Sequence, residues 1–207
     1  MNYVDAHKIA DDLLGRVSPA CEEGRAVIVG SVRRHKRDVH DIEIACRSLP
    51  GRPAPTFGSL VVHASHLEKQ LYEMEQEHRI AKIKGGPKAK QYAVKTSLYG
   101  VPTLNPFKVE FYINTPPAQW GVQLVIRTGP GAPNDNFSKW CVTNRAFGGG
   151  LPDGYKVKHL GVWHVDQLNA KGEPLHGEQP MVMPEESDFF GFLGMDWVEP
   201  RERHAPR

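Results

Sequence analysis

Cysteine is scarce in this sequence of 207 residues, and long apolar runs are absent. The three cysteines, Cys21, Cys46 and Cys141, are odd in number and far apart, so they form neither a disulfide framework nor a zinc-binding pattern. We expect reduced thiols in a core. No apolar stretch approaches the ~18 residues of a membrane-spanning helix, and the first ten residues lack a signal-peptide pattern. These absences predict a cytoplasmic protein with no membrane contact.

Acidic residues are missing from one long segment, between Arg79 and Lys108, which carries seven basic residues. A solvated surface is the usual explanation for a charge run. A run this one-sided fits contact with a polyanion better, because Lys and Arg neutralise phosphates. The segment therefore predicts a nucleic-acid-binding surface. Its candidate contacts are Lys84, Lys88, Lys90 and Lys108.

The stretch from Gly30 to Glu43 organises the rest of the chain, since it connects two apolar segments of strand type. Asp41 and Glu43 are two residues apart in the second strand, so both carboxylates leave the same face. A solvated strand edge would explain such a pair by itself. The Gly30-Ser31 turn in front of it lets the backbone approach an anion, and Arg34 follows within reach of phosphate oxygens. Together the two features predict a site for metal-bound nucleotide phosphate.

These residues resemble a known family. Gly30-Ser31, the pair Arg33-Arg34 and Asp41-x-Glu43 resemble the motif of polymerase-beta-type nucleotidyltransferases, and the double arginine is similar to DNA polymerase family X. Later segments are also similar to the thumb subdomain and C-terminus of that family. These segments are the Pro116-Pro117 helix ending in Thr128-Gly129, the Phe137-Ser-Lys helix, and the ending from Glu185 to Pro200.

The resemblance implies an α+β fold in a compact form with palm and thumb only. A nucleotidyltransferase palm, a mixed β-sheet with flanking helices, would span 1–115, and a small α/β thumb-like subdomain would span 116–207. It also implies a third metal-binding acid, Glu110, which is preceded two positions earlier by Lys108 as in the family. Glu stands at 43 and 110 where Asp is usual, so each of these carboxylates reaches one methylene further.

The implied activity is two-metal phosphoryl transfer from a dNTP to a DNA 3′-hydroxyl, releasing pyrophosphate, in a monomeric gap-filling or repair-type polymerase. The cofactor would be two Mg²⁺ ions, with Mn²⁺ as a substitute. The metal-binding and catalytic residues would be Asp41, Glu43 and Glu110. The nucleotide-binding residues would be Gly30, Ser31, Arg34, Thr128 and Gly129, and Lys139 and Arg145 would join the nucleic-acid contacts. Two alternatives stay open, a template-independent transferase and a catalytically inactive nucleic-acid-binding module.

Hydrophobic periodicity also predicts individual elements. Helices are expected over Ala6–Val17, over Leu67–Met74 after a Ser65 cap, from Pro117 to Thr128, over Phe137–Ala146 and around Phe189–Leu193. Strands are expected at Val27–Val29, Ile42–Cys46, Gln91–Thr96, Lys108–Ile113 and Tyr155–Trp163.

Overall fold

The computed structural model describes residues 1–51, 65–103 and 106–205. The chain divides into two compact units, Met1–Ile113 and Asn114–Arg207. The first combines a mixed sheet with flanking helices, so the α+β class is confirmed.

The first unit is built on a sheet that contains five strands within the described residues. They are β1 (Cys21–Val29), β2 (Asp41–Ser48), β3 (Ile80–Gly85), β4 (Ala89–Val94) and β5 (Phe107–Ile113). The spatial order is β1-β2-β5-β4-β3. The central pair, β2 and β5, is parallel, and the other neighbours are antiparallel.

In the parts of this unit that the structure describes, three α-helices accompany the sheet: α1 (Tyr3–Val17), α2 (Gly30–Arg33) and α3 (His66–Gln76). Asn2 caps the N-terminus of α1, and its side chain accepts a hydrogen bond from the backbone of Asp5. The predicted Ser65 cap stands directly before α3. The apolar faces of α1 and α3 bury Ile9, Leu13 and Leu71 in the same core as one face of the sheet. The predicted helices in this unit are thus confirmed.

The second unit contains α4 (Trp120–Thr128), α5 (Phe137–Val142), β6 (Tyr155–Lys158), β7 (Gly161–His164) and α6 (Glu186–Leu193). Its core joins the three helices with the hairpin, and its largest members include Phe137, Phe189 and Phe190. α6 ends at Gly194, which adopts a left-handed conformation with φ +76°.

Three element predictions were wrong. The predicted Phe137–Ala146 helix stops at Val142, because Thr143 is extended and the backbone around Asn144 bonds to Leu151 instead of continuing the helix. The predicted Tyr155–Trp163 strand is a hairpin that reverses at residues 159–160. α4 begins three residues after Pro117. In addition, β3 had no counterpart among the predicted elements.

One further property concerns membranes. Across the described residues, no helix combines the length and the apolar character needed to cross a bilayer.

Candidate active site

The three predicted acids lie on the two central strands of the first unit. In the parallel register of β2 and β5, Glu43 stands opposite Glu110, and Asp41 stands opposite Lys108. Strand neighbours are about 4.8 Å apart, so the backbones that carry Glu43 and Glu110 are as close as two strands come. The structure therefore brings Glu43 and Glu110 together on one face, with Asp41 two residues away on the same face.

Alternation along the strands explains why the acids share that face. Ile42 and Ile44 on β2, like Val109 and Phe111 on β5, are fully buried in the core below the sheet. Side chains of successive strand residues point to opposite faces, so the acids between these apolar residues must point away from that core. Each of the three acids is partly exposed. The apolar positions thus determine the direction of the acidic ones.

A tyrosine hydroxyl connects the two facing glutamates. The single proton of the Tyr112 hydroxyl is shared between Oε1 of Glu43, 3.0 Å from Oη, and Oε2 of Glu110, 3.2 Å from Oη. The side chain of Tyr112 is buried, with 8% exposed. Two carboxylates that face each other repel, and a hydrogen-bond donor to both reduces that repulsion. Sequence reasoning placed Tyr112 on the same face as Glu110 but missed this contact.

The turn between β1 and α2 lies directly against Glu43. Gly30 has φ +64°, and a Cβ added there would overlap Oε2 of Glu43 and stand 2.7 Å from its Cδ. Only glycine adopts this conformation without strain and leaves this space to the carboxylate. The next residue, Ser31, has a buried hydroxyl oxygen with no hydrogen-bond partner among the described residues. A buried polar atom of this kind is suited to a ligand.

The donor set is suited to a hard divalent cation. Carboxylate oxygens are the ligands that Mg²⁺ prefers, and Glu43, Glu110 and Asp41 supply them from one face of the sheet. Within the described parts of the chain, no three His, Cys, Asp or Glu side chains stand together as a ready-made metal site. Glu43 and Glu110 instead converge on the Tyr112 hydroxyl. The three carboxylates are thus suitable ligands for Mg²⁺, and in this structure the Tyr112 hydroxyl holds two of them, Glu43 and Glu110, by hydrogen bonding.

The four lysines of the first unit that were predicted to contact nucleic acid differ in their exposure and in their ion pairs. Lys84 lies exposed on β3, at the edge of the sheet, and Lys108 lies exposed in the position opposite Asp41. Lys88 is exposed at the β3–β4 turn. Lys90 is different, because its ammonium lies 2.8 Å from the carboxylate of Glu68 and its side chain is only 12% exposed. Much of the charge of Lys90 is thus balanced inside the unit.

The other predicted ligand-binding residues lie in the second unit. Thr128 is fully buried at the end of α4. A Cβ on Gly129 would stand 2.7 Å from the ring of Phe137 and 2.8 Å from Oγ of Ser138, so close packing against α5 accounts for glycine here. The nucleotide-binding role of the pair stays a prediction.

The two basic candidates of this unit differ from each other. Arg145 Nη2 donates to the carbonyl of Leu193 over 2.8 Å, and its Nε donates to the carbonyl of Gly150 over 3.3 Å. These bonds fasten the turn after α5 to the end of α6. Lys139 is exposed on α5. Arg145 thus has a structural role within the unit, and contact with nucleic acid stays a prediction for both residues.

Residue 34 follows the short helix that begins at Gly30. The backbone amide of Arg34 donates to the carbonyl of Gly30 over 3.2 Å, which closes the turn. The Arg34 side chain is partly buried. The contact of Arg34 with phosphate stays a prediction.

No protein-family model matches this chain, and no curated protein sequence matches it significantly.

Proposed function

We propose that this protein is a nucleotidyltransferase of the DNA polymerase family X type, which adds a dNMP from a dNTP to a DNA 3′-hydroxyl and releases pyrophosphate. The first unit would be the palm and the second the thumb-like part. The single observation that carries the proposal is the facing pair Glu43 and Glu110 on adjacent parallel strands, with Asp41 on the same face and with Gly30 packed against Glu43.

The three acids would hold the metal ions of this reaction. Asp41, Glu43 and Glu110 supply hard oxygen ligands, and the long side chains of the two glutamates let them adjust to near-octahedral geometry. When bound, two Mg²⁺ ions would activate the 3′-hydroxyl and neutralise charge on the leaving pyrophosphate. The protein's own contribution is to fix the carboxylates on two rigid strands, so that little rearrangement accompanies the reaction.

Other residues of the first unit would bind the substrates. The Ser31 hydroxyl, which has no hydrogen-bond partner among the described residues, would donate to a phosphate oxygen. Lys108, exposed beside Asp41, and Lys84, exposed at the sheet edge, would contact DNA phosphates. The two lysines give the site positive charge, which attracts a triphosphate and a DNA strand.

Primer extension tests the proposal. The protein is incubated with Mg²⁺ or Mn²⁺ and each dNTP or NTP, on single-stranded primers and on gapped duplexes. Template-directed incorporation is the expected result. Extension that ignores the template would identify a template-independent transferase. Absence of incorporation together with DNA binding would identify an inactive binding module.

Asp41→Asn tests the assignment of the acids. We expect incorporation to fall by at least about 100-fold, because loss of a metal ligand removes several kcal/mol of transition-state stabilisation. DNA affinity should stay close to that of the wild type. The matched control is Asp38→Asn, the same substitution at an exposed residue three positions earlier. Substantial residual activity in Asp41→Asn would show that the acids are misassigned.

A further inference from the structure

The hydroxyl of Tyr112 serves two acids from different strands. Its single proton is shared between Glu43 on β2, with an O–O distance of 3.0 Å, and Glu110 on β5, with an O–O distance of 3.2 Å. Each contact uses one carboxylate oxygen, Oε1 of Glu43 and Oε2 of Glu110. Tyr112 therefore limits the positions of both side chains through one oxygen of each carboxylate.

The surroundings of Tyr112 explain how its ring reaches these acids. On the neighbouring strands, the residues in register with Tyr112 are Ala45 on β2 and Ala89 on β4. Alanine side chains are short, so they leave room for a large ring to extend towards the Glu43–Glu110 pair two residues away. The ring is buried, which limits its alternative positions. The two alanines and the burial of the ring therefore hold the Tyr112 hydroxyl in place beside the two glutamates.

Because residues 43 and 110 are glutamates, their carboxylates need a hydrogen-bond partner that restricts their positions. A glutamate has one more rotatable bond than an aspartate, so more conformational freedom is lost when it is held in one geometry. Two facing carboxylates also repel each other unless a cation or a donor lies near both. The Tyr112 hydroxyl addresses both difficulties, since it restricts both side chains and supplies a donor.

We propose that Tyr112 is a positioning residue for metal binding, which orients Glu43 and Glu110 towards a shared divalent cation. This inference rests on the proposed function, because it assumes that the acids hold metal. Partners that hydrogen-bond to metal ligands typically contribute 10–100-fold to metal affinity. A merely structural tyrosine would contribute to folding stability and leave metal affinity unchanged.

Mn²⁺ binding, measured by electron paramagnetic resonance on the full chain, separates the two roles. Tyr112→Phe keeps the ring and removes the hydroxyl, and we expect it to weaken Mn²⁺ binding by about 10–100-fold. The matched control is Tyr99→Phe. It also removes one tyrosine–carboxylate hydrogen bond, from Tyr99 Oη to Asp12 over 2.7 Å. It should bind Mn²⁺ like the wild type.

Kinetics supply a second measurement. If Tyr112 acts through metal affinity, Tyr112→Phe raises the KM for Mn²⁺ by about the same factor, and saturating Mn²⁺ restores kcat. Thermal unfolding without metal, compared with Tyr99→Phe, shows that both variants are folded. A kcat that stays low at saturating Mn²⁺, with unchanged affinity, would overturn the proposal.

The Asp41→Asn variant distinguishes failure of this inference from failure of the proposed function. Equal Mn²⁺ binding by the wild type and Asp41→Asn would overturn the metal site, and the role of Tyr112 with it. Binding that depends on Asp41 but is the same in Tyr112→Phe and the wild type would overturn the role of Tyr112 alone.

Discussion

The carboxylate of Glu43 occupies the space in which a side chain at Gly30 would have to lie. A Cβ at residue 30 would stand 2.7 Å from Cδ of Glu43 and 3.3 Å from its Cβ. Real Cβ atoms essentially never approach another heavy atom within 3.0 Å. Glycine at 30 and glutamate at 43 are therefore coupled, and the conformation of the turn decides where one candidate metal ligand lies.

Gly30→Ala should displace the Glu43 carboxylate. We expect incorporation to fall by about 100-fold, because a displacement of about 1 Å in a reacting site can cost that much. The free energy of unfolding should fall by about 1–2 kcal/mol, since φ at residue 30 is +64° and alanine is strained there. Primer extension and urea unfolding measure the two effects.

Gly24→Ala is the matched control for that substitution. Gly24 also has a positive φ, +68°, but nothing lies within 4 Å of the position that its Cβ would take. The variant should therefore lose similar stability and keep its activity. Equal loss of activity in both variants would mean that backbone strain, and not displacement of Glu43, explains the Gly30 result.

Lys84 and Lys90 should contribute differently to DNA binding. Lys84→Ala should lower the slope of log K against log salt concentration by about one unit, because an exposed lysine that contacts a phosphate releases about one counterion. Lys90→Ala should leave the slope close to that of the wild type, since Lys90 is paired with Glu68 at 2.8 Å. Salt titrations by fluorescence anisotropy measure both slopes. An unchanged slope in Lys84→Ala would show that β3 is ordinary surface.

The direction of the acids was predictable from sequence, because alternation is a local property. Ile42 and Ile44 on β2 and Val109 and Phe111 on β5 are buried as expected, so the alternation of both strands was predicted correctly. The parallel register that sets Glu43 opposite Glu110 was not predictable from alternation. It depends on which strands become neighbours, and only the family resemblance indicated that β5 lies beside β2.

The β6–β7 hairpin shows why other elements were missed. Its two turn residues, His159 and Leu160, have φ +52° and +59°. Two-residue hairpin turns normally carry Asn or Gly at such positions, and neither is present, so the segment was predicted as one strand. A backbone hydrogen bond from Gln119 to the carbonyl of Leu160 accompanies this turn. Contacts far along the chain therefore stabilise a conformation that the local sequence does not indicate.

Asp12 should give the protein a measurable acid dependence of stability. Burial tends to raise the pKa of Asp12, but hydrogen bonds from Arg16 and Tyr99 and the charges of Arg16 and Arg79 outweigh it, so the pKa is lowered. A lowered carboxyl pKa stabilises the fold above its unfolded value of 3.8, and that contribution disappears as pH falls through the folded pKa. Asp12→Asn should cost about 1 kcal/mol at pH 7, after allowance for solvent screening, and less below pH ~4.

Tyr99 should make the stability of the protein depend on pH in the alkaline range. Burial, and then the hydrogen bond to Asp12, raises its pKa to about 12. A raised pKa stabilises the fold below the usual tyrosine value of 10.0, and the contribution is lost as pH rises through about 12. Urea unfolding of Tyr99→Phe across this range should therefore converge on the wild type at high pH. A constant difference between the two proteins at every pH would contradict the assignment.

The three cysteines should differ in reactivity. A hydrogen bond with Cys46 lowers the pKa of Cys21 and raises that of Cys46, and burial raises the pKa of Cys141 to about 12. Cys21 is also the only one of the three with measurable exposure, 6%. We expect a maleimide to modify Cys21 first and the others only as fast as the protein unfolds. Peptide mapping over time checks the order, and equally fast modification of Cys141 would contradict it.

The stability of the second unit should depend strongly on a buried ion pair between Arg203 and Glu186. Arg203 Nη1 lies 2.7 Å from Oε1 of Glu186, with the two side chains 0% and 5% exposed, and the guanidinium lies 5.0 Å from the ring centroid of Phe190. Glu186→Gln would leave a buried cation without its carboxylate, so we expect a loss of about 3–5 kcal/mol in urea unfolding. Replacing both partners, as Glu186→Leu with Arg203→Met, should recover most of this loss because no charge then stays buried.

The control Glu73→Gln breaks an exposed pair with Lys69 and should cost less than about 0.5 kcal/mol. A loss in Glu186→Gln as small as in the control would show that the guanidinium is held by the aromatic rings and backbone instead.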